Sequence, residues 1–282
     1  MSRTIIATVL ALVMGTIVVF LIQVYPLDKS PYAALSVSIL VNLITTPLFA
    51  MLVQLFYNYH RIPLWFQSAW YWNKEVRLSI SYLFRIQVNG KYLLVKNRKR
   101  EYYQLVGGAY KAFDGAKTIF DKYGVKPDNR FKTTHGIAKS DLRFLVPGRW
   151  VIRMIDWFHS QKDRETSQWR EFCEELLTTD ILDKYLFRYV DYTYAGVVQT
   201  PMRKAKGLPN QEILIFELYD LLPSTEQQAA LEQLFALGDT EKVKWASREL
   251  IDTLGTDHQK EITSYEIGAH TKWAINKRWS DD

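Results

Sequence analysis

The stretch QWREFCEELL, residues 168–177, sets Arg170 beside Glu171, Glu174 and Glu175. On a helix, Trp169, Phe172, Cys173, Leu176 and Leu177 follow the i, i+3, i+4, i+7, i+8 spacing of a buried stripe, which predicts the three glutamates together on the opposite side. Three carboxylates this close repel when ionised. Water, Arg170, another basic group or a divalent cation must offset them, and hard oxygen donors suit Mg²⁺ or Mn²⁺. A metal face for chemistry, a ligand-holding face without chemistry and a solvated helix back all fit these residues alone. Glu217 adds a further carboxylate in the run QEILIFELYDLL, residues 211–222. Ile213 and Ile215 share its strand face, which predicts a partly buried acid.

The elements that must position these groups read as a mixed α/β domain. Residues 84–98, FRIQVNGKYLLVKNR, predict a hairpin, because two β-rich runs flank Asn89-Gly90, the pair that type I′ turns prefer. YYQLVGGAYK predicts a short strand ending in Gly107-Gly108. LRFLV and RWVIRMIDWF, on either side of Pro147-Gly148, predict two more strands. Residues 162–186 predict the helix that carries the glutamates, and residues 211–222 a strand. Two helices are predicted after it, one from a Ser224 cap to Gly238 and one from Asp239 to Gly255. There is no internal repeat, Walker loop, Ser/His/Asp arrangement or His/Cys metal spacing. His135 and His270 are isolated histidines. The single Cys173 excludes an intramolecular disulfide and fits a reducing compartment.

Two uncharged runs open the chain, residues 4–27 and 32–57, separated by DKSP. Each is long enough to cross a hydrocarbon core of ~30 Å, which takes ~20 helical residues. The short link predicts an antiparallel transmembrane hairpin over residues 1–57. Arg3 precedes the first run, and Arg61, Lys74 and Arg77 follow the second, which predicts a two-pass protein with both termini cytoplasmic. Trp65, Trp70 and Trp72, in a linker over residues 58–77, read as an interfacial belt or as ordinary core aromatics. Asn42, Thr45, Thr46, Pro47 and Gln54 in the second run read as a passive anchor or as a span that associates with copies of itself.

Charge is uneven along the chain. Residues 111–164 hold twelve basic and six acidic residues, a net +6 that equals the net charge of all 282 residues. Phe131, Trp150, Trp157 and Phe158 are interleaved with them. Cations for phosphates and flat rings for bases suit a nucleotide ligand. A basic face on anionic lipid is the other reading.

REFCEEL resembles the second half of the Nudix box, and GKYLLVKNRKREYYQLVGGAYK resembles the strands and glycines that lead into it. The resemblance implies an α/β/α sandwich with a mixed sheet over residues 78–282. It implies that Glu171, Glu174 and Glu175 are the metal glutamates, that Arg170 orients them and that Glu217 is the downstream carboxylate. If the face is hydrolytic, Glu174 is its catalytic candidate. Gly108 and Arg170 stand 62 positions apart, which implies an insertion of about 48 residues, placed at about 110–165. The family's earlier box glutamate would fall at Lys162, whereas Glu165 lies five before Arg170, and Leu177 replaces the box glycine. A two-span hairpin before a Nudix domain with an insertion looks like the SMODS-associated Nudix effectors of bacterial CBASS anti-phage systems. That resemblance implies a cyclic oligonucleotide ligand rather than a nucleic-acid polymer, and a CD-NTase-type nucleotidyltransferase as functional partner. It implies a homo-oligomer on activation and disruption of the inner membrane, causing abortive infection. Arg85, Gly107, Gly108, Phe131, Arg143, Arg153 and Arg170 are the expected ligand-binding set. The alternative is a membrane-bound Nudix pyrophosphatase acting on a nucleoside diphosphate derivative.

Overall fold

The computed structural model describes residues 58–98, 100–128, 140–257 and 262–280, together with residues 15, 42, 45–47, 49–54 and 56. The chain divides into two units, residues 1–66 and 67–282. The expected spans lie mostly outside the described residues; the described positions of the second are helical. Among the described residues no helix is long and apolar enough to cross a membrane. Helix α1 (Ile62–Trp70) follows, and Trp65, Trp70 and Trp72 stand at the surface.

Strand β1 (Glu75–Arg85) is the centre of the second unit, and all nine of its inner residues are buried. Burial on both faces requires cover on both faces. The hairpin follows as β2 (Gln87–Val88) and β3 (Lys91–Lys96). Asn89 and Gly90 both take positive φ, 48° and 79°, as a type I′ turn requires. Next come β4 (Tyr103–Gln104) and β5 (Val106–Ala109), which ends in the glycine pair. Helix α2 (Ala116–Tyr123), β6 (Lys126–Pro127) and β7 (Arg143–Pro147) belong to the insertion. Strands β6 and β7 extend the main sheet beside β1, so the insertion is woven into the domain.

Residues 149–158 correct the expected strand. A 3-10 turn (Gly148–Trp150) leads into helix α3 (Val151–His159). Val151, Met154, Ile155 and Phe158 are buried at helical spacing, a period that the β-rich composition obscures. Gly148 is required there, since a Cβ would stand 2.2 Å from the Tyr71 carbonyl oxygen.

The glutamate-bearing helix α4 (Trp169–Phe172) continues as a π turn (Cys173–Leu177) and is far shorter than the expected 162–186. Strands β8 (Asp191–Gln199), β9 (Arg203–Lys204) and β10 (Gln211–Leu222) follow. Strand β10 runs parallel to β1, whereas β5 and β7 pair with β1 antiparallel. Helix α5 (Thr225–Ala236) starts at Ser224 with a full capping box closed by Gln227. The helix expected over 239–255 is instead strand β11 (Val243–Ala246) and a short helix α6 (Arg248–Asp252) capped by Ser247. Val243, Lys244 and Trp245 alternate in burial, and pairing with β3 overrides helix propensity. Strands β12 (Thr256–Asp257) and β13 (Ile262–Thr263) form a small ribbon before helix α7 (Ala269–Asn276). Register puts Leu78, Ile80, Tyr82 and Phe84 of β1 on one face and Arg77, Ser79, Ser81 and Leu83 on the other. Phe84 meets Phe172 of α4, and Leu83 joins a core with Leu94, Ile251 and Trp273. The mixed sheet is therefore covered on both sides.

Candidate functional site

The π turn decides how the glutamates point. Thr178 N–H donates to the Cys173 carbonyl five residues back, 2.9 Å away. The wider turn breaks the expected stripe and carries Glu175 inward, where it is buried with Phe172, Leu176 and Leu177. Only Glu171 and Glu174 remain half-exposed. The expectation of three glutamates on one solvent side is corrected to two outside and one inside.

The glycine pair receives them. Gly107 N–H donates to Glu175 Oε2 at 2.8 Å. Gly107 has a φ of 149°, and a Cβ there would lie 2.1 Å from the Tyr82 carbonyl oxygen. A Cβ on Gly108 would lie 2.2 Å from Glu171 Oε1. Gly107 needs glycine because of its positive φ and its close approach to β1, and Gly108 because helix α4 sits directly on the end of β5.

Arg170 joins the carboxylates. Its Nη1 donates to Glu171 Oε1 at 2.6 Å and to Glu174 Oε1 at 3.5 Å, and its Nη2 donates to the Ala109 carbonyl at 2.7 Å. Glu165 accepts from Nε at 3.0 Å and from Nη2 at 3.2 Å. It also accepts from Lys111 N–H, which pins the segment to the end of β5. Glu165 thus reaches Arg170 despite the altered spacing. Its position five residues before Arg170 is the signal in the sequence, and the loop geometry makes it usable. Arg98, by contrast, has no such signal. It contacts Glu174 Oε2 at 3.4 Å from the loop between β3 and β4.

Glu217 is half-buried on β10 opposite Tyr82. Its Oε2 accepts from the hydroxyls of Tyr110 and, at 3.1 Å, Tyr219. Gln168 donates to Tyr110 at 2.9 Å. Burial, aided by the Glu217 charge and opposed by the Tyr110 hydroxyl, pushes Tyr219 up to about 12. Burial and Glu217 push Tyr110 up as well, so both hydroxyls stay protonated and donating at neutral pH.

Burial pushes the Glu175 carboxyl up from 4.5 to about 8, against the Gly107 N–H and with help from Glu171 and Glu174. The folded protein therefore holds a proton that the unfolded chain releases above about pH 4.5. Stability from this group is complete below that pH and is lost as pH rises toward about 8. The melting temperature should fall between pH 5 and 8, and Glu175→Gln should remove that part of the slope. An unchanged slope in the variant would place the titration elsewhere.

Mg²⁺ or Mn²⁺ would find oxygen donors of the right kind in Glu171, Glu174, Glu175 and Glu217, but not gathered. Glu171 and Glu174 meet at Arg170, Glu175 faces Gly107, and Glu217 faces two tyrosines. Among the described residues no three such side chains are grouped to hold a metal ion. The arrangement does not fit a metal without moving a side chain.

The other expected ligand residues scatter. Arg85 makes a two-pronged ion pair with Asp220 across β1 and β10, both contacts at 2.7 Å. Arg143 lies on β7 and meets Asp141 at 3.6 Å. Arg153 is exposed on helix α3, so the two arginines do not share a strand face. Phe131 lies outside the described residues. A cavity of about 820 Å³ opens in the insertion, lined by Phe113, Phe120 and Phe144 among others. Its charged lining is four aspartates, Asp114, Asp121, Asp128 and Asp141, against Lys117, Lys126 and Arg143. The positive excess of the insertion is therefore not concentrated there.

The solved structures similar to the chain include two of low sequence identity. One is a MutT protein from Bacillus halodurans, with 9% identity, a TM-score of 0.25, and coverage of 70% of this chain and 80% of that one. The other is a UDP-X diphosphatase, with 7% identity, a TM-score of 0.28, and coverage of 96% and 92%. No curated protein matches. The model of the SMODS-associated NUDIX domain matches residues 75–275, which run from the first residue of β1 through nearly all of helix α7 and include the glycine pair, Arg170 and all four carboxylates. On that match the chain belongs to the SMODS-associated NUDIX domain family.

Proposed function

We propose that the protein is a CBASS-type effector whose Nudix domain senses a cyclic oligonucleotide without turning it over. The observation that carries this reading is the pair of guanidinium groups, Arg98 and Arg170, at the carboxylate face. Arg98 reaches Glu174, and Arg170 reaches Glu171. Arginine forks suit phosphates presented to a half-exposed face. The four carboxylates are meanwhile satisfied by protein donors, which favours holding a ligand over activating water. Family membership supports the anti-phage role, with a CD-NTase-type nucleotidyltransferase as the source of the signal.

In this reading the runs 4–27 and 32–57 form a hairpin in the inner membrane with both termini cytoplasmic, and ligand drives association of the hairpins. Ligand shifts such an equilibrium only by its difference in affinity for the two states, so the assembled state must bind it far more tightly. Thermal shift of residues from about Asn73 onward, against cyclic di- and trinucleotides, tests the sensing step. No shift with any of them would remove the reading.

A second reading, a membrane-bound pyrophosphatase for a nucleoside diphosphate derivative, draws on one observation. Glu165 meets Arg170 although the box spacing is changed. Incubation with cyclic nucleotides or nucleoside diphosphate sugars and Mg²⁺ should give no meaningful turnover. Efficient cleavage that Glu174→Gln abolishes, with the fold intact, would put the pyrophosphatase first.

A further inference from the structure

The cavity in the insertion has no assigned role, and its volume of about 820 Å³ has room for a nucleotide. Helix α2 and the turn before it line it with Phe113, Lys117 and Phe120, and the start of β7 with Asp141, Arg143 and Phe144. The backbone holds both walls. Phe113 N–H donates to the Asp163 carbonyl at 2.8 Å, and Ala112 N–H to the Ser140 carbonyl at 2.7 Å. Strand β7 is paired on both sides, with β1 and β6. The rings of Phe120 and Phe144 meet with centroids 5.5 Å apart. Phe113 is 58% exposed, and among the described residues no ring packs on it.

Asp141 lacks a hydrogen-bond donor. Its side chain is 17% exposed, and its contact with Arg143 is 3.6 Å long, beyond hydrogen-bond reach. Among the described residues no hydrogen bond reaches its carboxylate. Burial raises its pKa, opposed by Arg143, as expected of a carboxylate drawn out of water without a donor. An ionised carboxylate only accepts, so its unmet capacity suits a ligand edge that presents N–H groups. The cations differ too. Lys126 is held by Glu75 at 2.7 Å, whereas Lys117, exposed on α2, makes no ion pair among the described residues. Asp114 and Asp121 also line the cavity, which disfavours a ligand that offers phosphate alone.

We propose that the insertion cavity is a guanine nucleotide site, with the base on the Phe113 ring, its donor edge on the Asp141 carboxylate and its phosphate toward Lys117. Stacking on Phe113 accepts any base, so the choice falls to the carboxylate. Guanine sets its N1–H and its 2-amino group side by side, and one carboxylate accepts from both. Adenine sets a ring nitrogen lone pair beside its amino group, and the carboxylate opposes that lone pair. The site deepens the sensing role and rests on it for the nature of the signal, a cyclic oligonucleotide that contains guanine.

Calorimetry on the full chain in nanodiscs tests this with GMP, IMP, AMP, cyclic di-GMP, cyclic di-AMP and spermidine as probes. GMP or cyclic di-GMP should bind saturably, about tenfold tighter than its adenine counterpart. IMP, which keeps N1–H and lacks the 2-amino group, should bind about tenfold more weakly than GMP. Phe113→Ala, at an exposed position, should weaken guanine binding about tenfold through lost stacking. Asp141→Asn should erase the preference for guanine over adenine, which a merely structural loss would not do. Lys184→Ala, at an exposed position, should leave affinity within about twofold. If Asp141→Asn melts early, the IMP comparison and Phe113→Ala carry the test. Binding by neither guanine probe overturns the site, as does equal affinity for guanine and adenine, or guanine binding that neither variant changes. Spermidine bound where GMP is refused also overturns it and makes the cavity a cation pocket. Cyclic di-AMP bound without sensitivity to Phe113→Ala sinks the site and keeps the sensor. GMP bound with sensitivity to Asp141→Asn, with no cyclic nucleotide bound, keeps the site and sinks the sensor.

Discussion

Arg170→Ala should cost the domain roughly 1.5–3 kcal/mol of stability, the scale of hydrogen bonds to charged groups, here in a part-buried cluster. The Arg170 side chain is 22% exposed, and those of its partners Glu165 and Glu171 are 12% and 14% exposed. Without it, Glu165 loses two hydrogen bonds, and Glu171 and Glu174 keep their mutual repulsion with no cation between them. The Ala109 carbonyl loses a donor as well. Arg170→Lys should recover only part of the loss, because one ammonium cannot span Glu165, Glu171, Glu174 and the carbonyl from a fixed fork. Urea denaturation of the three proteins reads the difference. The double variant Arg170→Ala, Glu165→Gln should lie closer to wild type than the single variant, since it removes the stranded charge. A single variant as stable as wild type would mean that water already screens the cluster, and the face would then be an ordinary solvated helix back.

The second large effect is expected in cells. Deleting Ser2 to Phe56 should abolish ligand-dependent membrane depolarisation while leaving nucleotide affinity intact. Residues 67–282 form one compact unit, and the family match starts at residue 75, so the proposed sensing surfaces lie wholly after the deletion. The deleted part holds the first uncharged run and all of the second but Tyr57, and loss of toxicity with binding retained would assign membrane damage to them. Depolarisation and calorimetry on the same truncated protein separate the two steps. If the truncated protein remained toxic when signal was supplied, the runs would be an anchor only. Killing would then lie in the Nudix domain, and turnover at the carboxylate face would become the leading explanation.

Features that a few neighbouring residues specify are legible in the amino-acid sequence by itself. Asn89-Gly90 is a turn because only those two residues need positive φ. Ser224 starts a helix because its own hydroxyl and the Gln227 amide close the cap locally. Glu171, Glu174 and Glu175 are recognisable as a set from their spacing, and the glycine pair from its place ahead of them. The helix at 151–159 reads as a strand in the sequence because Val, Ile, Trp and Phe serve both, and only packing such as that of Trp157 on Phe120 of α2 chooses the helical face.

The rest is decided by contacts between residues far apart in sequence. Nothing local announces the π turn, which swings Glu175 toward Gly107, 68 residues away. Glu165 looks misplaced on a linear ruler, yet the bonds between Lys111 and Glu165 bring it to Arg170. Ser79, Ser81, Arg143, Phe216 and His270 carry no shared motif. They come to one side of the sheet because β1 pairs with β7 and β10 in one register and α7 sets His270 against Phe216. Spacing within an element is a property of the chain, whereas convergence on a site is a property of sheet register. Shifting that register by one residue would send Ser79, Ser81 and Phe216 to the opposite face.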